Sequence, residues 1–384
     1  MDTHQDAKTI LLSGGGTGGH ITPILAVATE LKRQNPSVRT IYVGEKGGKF
    51  QELTASHSAI DETRTIWAGK FRRYNGESWF NRIMDVRTNL LNFRDIFYFV
   101  IGTLQSLRII RKAKPDVVFL KGGFVGVPIG LAAAIHKVPF ITHDSDALPG
   151  LANRIVSRWA KTHAVALAPD TYPYPSSKTV QVGVLVESDF KHVDANEQQS
   201  MKQRIKVPAQ AVMVLVTGGS SGANNINQAM KQIAEKLLQD YLELYIVHQA
   251  GKGKAAVYGE YSHDRLQVIE FMRPMYVYTG AADIVVSRAS GNTIAELGVQ
   301  GKAVIAVPNP LLTGGHQLKN AKTLTDMKAA LIVSEINGTT NVMELDGAIR
   351  ELLENPATRK KLAQRLQSIT ITGAAEKLAA LLLK

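Results

Sequence analysis

Short apolar runs that end in glycine or aspartate, each followed by a stretch of helical periodicity, recur along this chain. The first is TILLSGGG (residues 9–16), after which Ile24, Val27, Ala28 and Leu31 fall on one face of a 3.6-residue repeat. The spacing predicts a strand, a tight loop and a helix. TIYVGEKGG (40–48) follows the polar KRQNPSVR, which completes a βαβ unit and implies a parallel sheet. DVVFLKGG (116–123) and VPFITHDSD (138–146) are further runs of this kind. From about residue 211 the pattern restarts with AVMVLVTGGSSGANNINQAMKQIAEKL, and LELYIVHQAGKG, DIVVSRASGNTIAEL and KAVIAVPNP continue it. The alternation predicts two doubly wound α/β domains with a boundary near TVQVGVLVESDF (179–190). Ligands of open α/β sheets sit beyond the carboxyl ends of the strands, where both halves carry their glycine-rich loops, so an interdomain cleft is expected.

Composition narrows the picture. The 384 residues are 45% hydrophobic, enough for two cores, and the formal charge of +12 favours anionic partners. The absence of cysteine excludes disulfides, thiolate nucleophiles and Cys-ligated zinc. The start, MDTHQDAKTI, has no basic run followed by an apolar core, which predicts a cytoplasmic chain. Arg94 and Asp95 interrupt the most apolar stretch, LLNFRDIFYFVIGTLQSLRII (90–110), and leave too short a run to cross a bilayer.

The chemistry begins at GGGTGGH, with five glycines in positions 14–19 and then His20. Bare amides before a helix suit an anion, typically a phosphate. A nucleotide P-loop fails, because His20-Ile21 stands where Lys-Ser/Thr belongs. Gly14, Gly16 and Gly19 fit the dinucleotide spacing, with Glu45 as the ribose acid. A third reading is a loop for a phosphorylated substrate with His20 over the reacting group, its pKa lowered by the helix end so that it can take a proton. Against this, His20 could simply cap the helix or pack locally. In SRASGNTIAELGVQG (287–301), Glu296 either closes a capping box with Thr293 or binds ribose hydroxyls beside a pyrophosphate. Asp144-Ser145-Asp146, next to His143, has the form of a metal-binding triplet or of an ordinary turn. LKGGFVGVPIG (120–130) is a second glycine-rich exit. His248, Gln249, His316 and Gln317, in HQAGKG and TGGHQLKNA, could each be ordinary surface residues.

Seven segments in order, GGTGGH (15–20), GGFVGVP (122–128), LPGLANR (148–154), GGSSGANNIN (218–227), HQAGKG (248–253), SRASGNTIAE (287–296) and HQLKNA (316–321), together resemble the MurG family of glycosyltransferases. The resemblance implies a GT-B fold: two Rossmann-like domains, 1–183 for acceptor and membrane and 184–366 for the UDP-sugar, with 367–384 a helix packing back toward the first. It implies inverting, metal-independent and cofactor-free transfer from UDP-N-acetylglucosamine to a lipid-pyrophosphate acceptor, lipid I. His20 would be the base or orienter. Gly15, Gly16, Gly122, Gly123 and Phe124 would bind the acceptor. Thr17, Gly18, Gly19, Ser220, Met272, Gly291, Asn292, Thr293, Ile294, Ala295, Glu296 and Gln317 would bind the donor.

Two positions depart from the family pattern. Asp146 stands where an amide is expected at the donor sugar, and Glu187 where an arginine is expected; both add negative charge beside an anionic donor. Within residues 66–110, Trp67, Phe71, Tyr74, Trp79 and Phe80 interleave with Lys70, Arg72, Arg73 and Arg82, as suits the anionic cytoplasmic face of the plasma membrane. A core segment with a solvated basic face is the plainer alternative, and nothing matches a nucleic-acid-binding fold. Other readings are a relative with a different UDP-sugar or acceptor, a nicotinamide oxidoreductase, or a membrane scaffold that has lost donor binding.

Overall fold

The computed structural model of the chain describes residues 8–16, 18–49, 51–70, 85–219, 222–311 and 315–384. It divides into two units, residues 1–187 with 371–384, and residues 188–370. In the first, the apolar runs form β1 (Thr9–Gly14), β2 (Arg39–Glu45), β3 (Glu62–Ile66), β4 (Val117–Gly122), β5 (Phe140–Asp144), β6 (Thr162–Val165) and β7 (Thr179–Gln181). They pair in parallel in the order β3-β2-β1-β4-β5-β6-β7. Every residue of β4 is buried, as expected of a parallel strand covered on both faces. Ile24, Val27, Ala28 and Leu31 are all fully buried on the Gly18–Gln34 helix, so the periodicity read from the sequence locates its core face.

The second unit repeats the plan with β8 (Val212–Thr217), β9 (Leu244–Gln249), β10 (Leu266–Ile269), β11 (Ile284–Ser287), β12 (Ala303–Ala306) and β13 (Leu331–Ile332). Its parallel order is β10-β9-β8-β11-β12-β13. Both units are therefore doubly wound. Val182 and Leu185 pack in the first unit's core, which carries that unit on to Glu187. The chain returns to the same core at its end. Leu378, Ala379 and Leu382 of the Ala374–Leu383 helix are buried there with the Gly18–Gln34 helix, and Gln34 Nε2 donates to the Glu376 carbonyl at 2.9 Å.

At the head of the first sheet, the exits of β1 and β4 press together closely enough to dictate their composition. Gly122 and Gly123 have φ of +106° and +78°, which disfavours any side chain. A Cβ on Gly123 would collide with the Gly15 carbonyl oxygen, and one on Gly15 would come within 2.7 Å of Val125 Cγ2. The Gly123→Ala variant is expected to lose about 3 kcal/mol of stability, from the backbone penalty plus the collision. Gly126→Ala, where a Cβ would meet nothing within 4 Å, should stay within roughly 0.5 kcal/mol of the parent. Urea unfolding of the two variants checks this, and equal midpoints would contradict the packing argument.

Candidate active site

In the first unit the strand order reverses between β1 and β4, so the ligand crevice of such a fold lies beyond Gly14 and Gly122. Gly15, Gly16, Gly18, Gly19 and His20 follow one strand there, and Gly123 and Phe124 follow the other. The structure brings these predicted residues together: a Cβ on Gly16 would lie 2.9 Å from the Phe124 ring, and one on Gly122 would lie 3.7 Å from His20 Cδ2. Thr17 lies outside the described residues. A cavity of about 320 Å³ opens beside this loop, lined by Gly15, Gly16, Tyr42, Glu45, Lys49 and Lys70. Tyr42 Oη donates to the Gly14 carbonyl at 2.8 Å and braces the loop from β2.

His20 is half-buried in the first turn of its helix, and its pKa is lowered to about 4. Burial is the main cause, the Lys121 ammonium adds to it, and Asp146 opposes it. The side chains around it form a buried network. Asn153 Nδ2 donates to the His143 carbonyl and to Asp144 Oδ1, both at 2.9 Å. Asp144 also accepts from Gly150 N at 3.0 Å and from Tyr174 Oη at 2.8 Å. Burial raises the Asp144 pKa against these donors, and burial holds His143 well below the ordinary imidazole range. His143 Nε2 lies 2.9 Å from the Gly183 carbonyl, to which it donates in the neutral ring. Asp144 is thus occupied in fastening the turn after β5, while the half-buried Asp146 acts on His20 and Lys121. Among the described residues, no three His, Asp or Glu side chains gather as a metal site.

In the second unit the reversal falls between β8 and β11, and two predicted segments exit there. A Cβ on Gly218 would collide with Ala223 N, and one on Gly222, where φ is +68°, with the Ala250 carbonyl; both close the turn around the β8 exit. Ser220 lies outside the described residues. After β11, Ser290 caps the Gly291–Gln300 helix, its Oγ accepting from Thr293 N at 3.4 Å. This corrects the expected capping box. Because Ser290 starts the helix, Thr293 is already inside it, and Glu296 sits one turn on without the reciprocal cap role. Gly291, Asn292, Thr293, Ile294, Ala295 and Glu296 therefore form the first two turns, with amides toward the strand exit.

The polar residues offered as surface positions are mostly buried. His248 and Gln249 occupy the end of β9 in the interior, and Gln317 is 5% exposed. His248 Nε2 pairs with Asn227 Oδ1 at 3.0 Å and Nδ1 with Tyr258 Oη at 2.8 Å, while Asn227 Nδ2 donates to the Ala250 carbonyl at 2.8 Å. Burial lowers the His248 pKa to about 4, so the ring is neutral in this network. Thr217 Oγ1 meets Gln249 Oε1 at 2.6 Å and accepts from Gly219 N at 3.1 Å. HQAGKG and GGSSGANNIN thus co-occur because their side chains hold one pair of loops in place. Gln317 Oε1 accepts from Asn309 N at 2.9 Å, and Asn320 Nδ2 donates to the Ala289 carbonyl at 3.0 Å. Met272 is 3% exposed, with its side chain in the core, and Glu187 ends the first unit, half-buried.

Sequence reasoning passed over Lys121, Asn153, Arg288 and Asn320. Arg288 Nη1 bonds Glu335 Oε1 at 2.6 Å and the Val307 carbonyl at 3.1 Å, tying the β11 exit to its neighbours. All four lie within the segments DVVFLKGG, LPGLANR, SRASGNTIAE and HQLKNA, and that position was the available signal.

Residues 10–165 match the family described as Glycosyltransferase family 28 N-terminal domain, and residues 213–378 the family described as Glycosyltransferase family 28 C-terminal domain. The chain is 32% identical to the UDP-N-acetylglucosamine–N-acetylmuramyl-(pentapeptide) pyrophosphoryl-undecaprenol N-acetylglucosamine transferase of Bacillus cytotoxicus, covering 96% of this chain and 97% of the relative. It is 30% identical to the transferase of the same name from Christiangramia forsetii, covering 96% and 95%. The crystal structure of Acinetobacter baumannii MurG has the same two-domain α/β fold, with a TM-score of 0.71 at 24% identity over 98% of this chain and 99% of that one. With full-length relatives at this identity and both halves of a glycosyltransferase matched in order, the chain belongs to the MurG family of N-acetylglucosamine transferases.

Proposed function

We propose that this enzyme transfers N-acetylglucosamine from UDP-N-acetylglucosamine to the C4 hydroxyl of the muramyl sugar in an undecaprenyl-pyrophosphoryl muramyl-peptide, releasing UDP with inversion. One observation carries the reading: each unit sets a glycine-rich exit and a helix N-terminus at its own strand reversal, in a chain whose full-length relatives are named for this transfer. The first unit holds the acceptor and the second the donor.

On the acceptor side, Gly15, Gly16, Gly122 and Gly123 offer backbone amides to the diphosphate, and Phe124 backs them. His20 takes the proton of the attacking hydroxyl as the new glycosidic bond forms and the bond to UDP breaks. An imidazole with a pKa near 4 is a weak base at neutral pH, but a bound diphosphate nearby favours its protonated form and strengthens it. Base strength is therefore greatest when the acceptor is present. On the donor side, Gly291 to Ala295 direct the helix end at the departing diphosphate, where charge grows as the bond breaks. Glu296 accepts from the ribose hydroxyls, and Gln317 offers its amide nitrogen to the sugar while its carbonyl holds Asn309.

The acceptor's lipid calls for a membrane surface, and the Val86–Ala113 helix supports one. It carries apolar residues on its outer face as well as on its inner one, where Ile110 and Ala113 are buried. Asp95, Gly102 and Ser106 face inward, while Leu90, Phe93, Phe97, Val100 and Leu104 are each at least 50% exposed, at helical spacing. Exposed Arg94, Arg108, Arg111 and Lys112 accompany the stripe. Such a surface suits the boundary of an anionic leaflet. Phe71, Arg72, Arg73, Tyr74, Trp79, Phe80 and Arg82 lie outside the described residues. Among the described residues, the one stretch with the hydropathy of a membrane span, residues 356–383, is two helices, Pro356–Ile369 and Ala374–Leu383, separated before Ala374, with Leu378 and Leu382 in a core. The enzyme therefore docks on the cytoplasmic leaflet rather than crossing it.

Transfer of radiolabelled N-acetylglucosamine to a short-chain acceptor should proceed in EDTA and fall about a hundredfold in His20→Ala, the size of a lost general base. Full turnover of that variant would remove His20 from the reaction. Glu296→Ala should raise the donor KM roughly tenfold with a smaller change in kcat, as for a lost hydrogen bond to a charged group. An unchanged KM would overturn the ribose assignment. In sedimentation with phosphatidylglycerol vesicles, the double variant Phe93→Ser, Phe97→Ser should lose most binding while UDP binding by calorimetry stays intact. Retained sedimentation would show that this stripe is not the docking face.

A further inference from the structure

The register between β1 and β4 slips by one residue at the head of the sheet. Ser13 pairs with Leu120 but Gly14 pairs with Gly122, which leaves Lys121 as the extra residue of a β-bulge. Bulges re-aim a side chain and are frequent beside active sites. Here the re-aimed side chain is a lysine only 5% exposed, one residue before the Gly122–Gly123 turn that borders His20. Among the described residues no hydrogen bond or ion pair within 4 Å satisfies its ammonium, although two carboxylates lie within electrostatic reach. We propose that Lys121 is a positioning residue for the charge state of His20: its ammonium offsets Asp146 and Asp144 and keeps the imidazole unprotonated until an anionic acceptor arrives.

The groups around it bear this out from each element. From β5, His143 and Asp144 feel Lys121; from the loop after β5, Asp146 favours the charged form of both Lys121 and His20; from the first helix, His20 feels Lys121 in the opposite sense to Asp146. Tyr174 and Asn153 bind Asp144 and add no charge. Burial disfavours the charged lysine and lowers its pKa overall, while the two carboxylates oppose that in part. The position also answers a question left by the sequence, where Asp146 adds a negative charge to a site for anions. Lys121 supplies the matching cation from beneath. Asp146 alone would draw a proton onto His20, and a protonated ring cannot accept one from the sugar hydroxyl.

The consequence for catalysis rests on His20 being the base, whereas the effect on His20 itself does not. The test therefore reads both. The His20 ring is followed by NMR in histidine-labelled enzyme, assigned with His20→Gln, and the acid limb of kcat/KM for transfer is measured alongside. Lys121→Met, which keeps the length of the side chain, should raise the His20 midpoint by about one pH unit or more, as expected for loss of a nearby charge. Lys121→Gln should do the same and serves if the methionine variant fails to fold. Adding Asp146→Asn to either should bring the midpoint back toward the parent, and Lys121→Arg should keep it there. An unmoved His20 midpoint in a folded Lys121 variant overturns the proposal. A moved midpoint with an unmoved acid limb supports it, and overturns instead the assignment of His20 as base.

Discussion

How closely two backbones can approach sets the character of both strand reversals. At β1 and β4, and again around the β8 exit, a single added methyl group would strike a neighbouring amide or carbonyl. The glycines there are first a packing requirement and only then a binding surface. The two are linked, because a loop stripped of side chains so that it can pack also exposes its amides to a phosphate. A set of bare backbone amides at a doubly wound switch point thus follows from satisfying the close approach, and each unit does so separately.

Such loops hold their shape only if the polar groups beneath them are satisfied. In the second unit His248, Asn227, Tyr258 and the Ala250 carbonyl form a closed set, with the ring kept neutral by burial. In the first, Asn153 and Asp144 do the equivalent beneath His20. The sets differ in charge. The second unit's is neutral throughout, which suits a platform whose work is done by helix amides above it. The first contains Asp144, Asp146 and Lys121, and charge placed there reaches the His20 ring. A single substitution in this cluster is felt electrostatically at His20 even where it leaves the packing alone.

Periodicity made most of the fold legible. The strand runs stand out because parallel strands buried on both faces have no polar positions to interrupt them, and Ile24, Val27, Ala28 and Leu31 mark a core face by spacing alone. What stayed hidden depended on contacts between distant segments. Ser290 displaced the expected Thr293 cap because a serine one residue before the helix is as good a cap as a threonine three residues later, and only the path of β11 decides between them. His248 and Gln249 read as surface because polar side chains usually are; their partners, Asn227, Tyr258 and Thr217, are remote in sequence or unremarkable beside it. Lys121 stayed hidden for a different reason. Within an apolar run before two glycines it reads as an exposed strand end, and the bulge that turns it inward is a property of pairing with β1. The dipole of the helix end, invoked for His20, gave the right direction of its shift, but burial and Lys121 are what produce it.

The Val86–Ala113 helix packs onto the first unit through the same economy of side chains. A Cβ on Gly102 would collide with the Trp67 carbonyl, and one on Gly69 with the Asp95 carbonyl, so the helix lies directly on the segment leaving β3. Gln105 Oε1 accepts from Trp67 N at 2.8 Å, and the Trp67 and Tyr98 rings stack at 4.6 Å. These glycines and polar atoms let the helix lie close, Ile110 and Ala113 fill the core toward its end, and Leu90, Phe93, Phe97, Val100 and Leu104 are left on the outer face. Lys70, three residues after Trp67 in the segment the helix rests on, lines the cavity beside Gly15 and Gly16, and Asp95 reaches Glu45 electrostatically. The apolar stripe and the glycine loop therefore belong to one packed body. For the proposed acceptor, whose diphosphate lies between a lipid chain and a sugar, that matters: were the stripe docked on a leaflet, its packing against the segment beside the loop would set the depth at which the loop meets the headgroup.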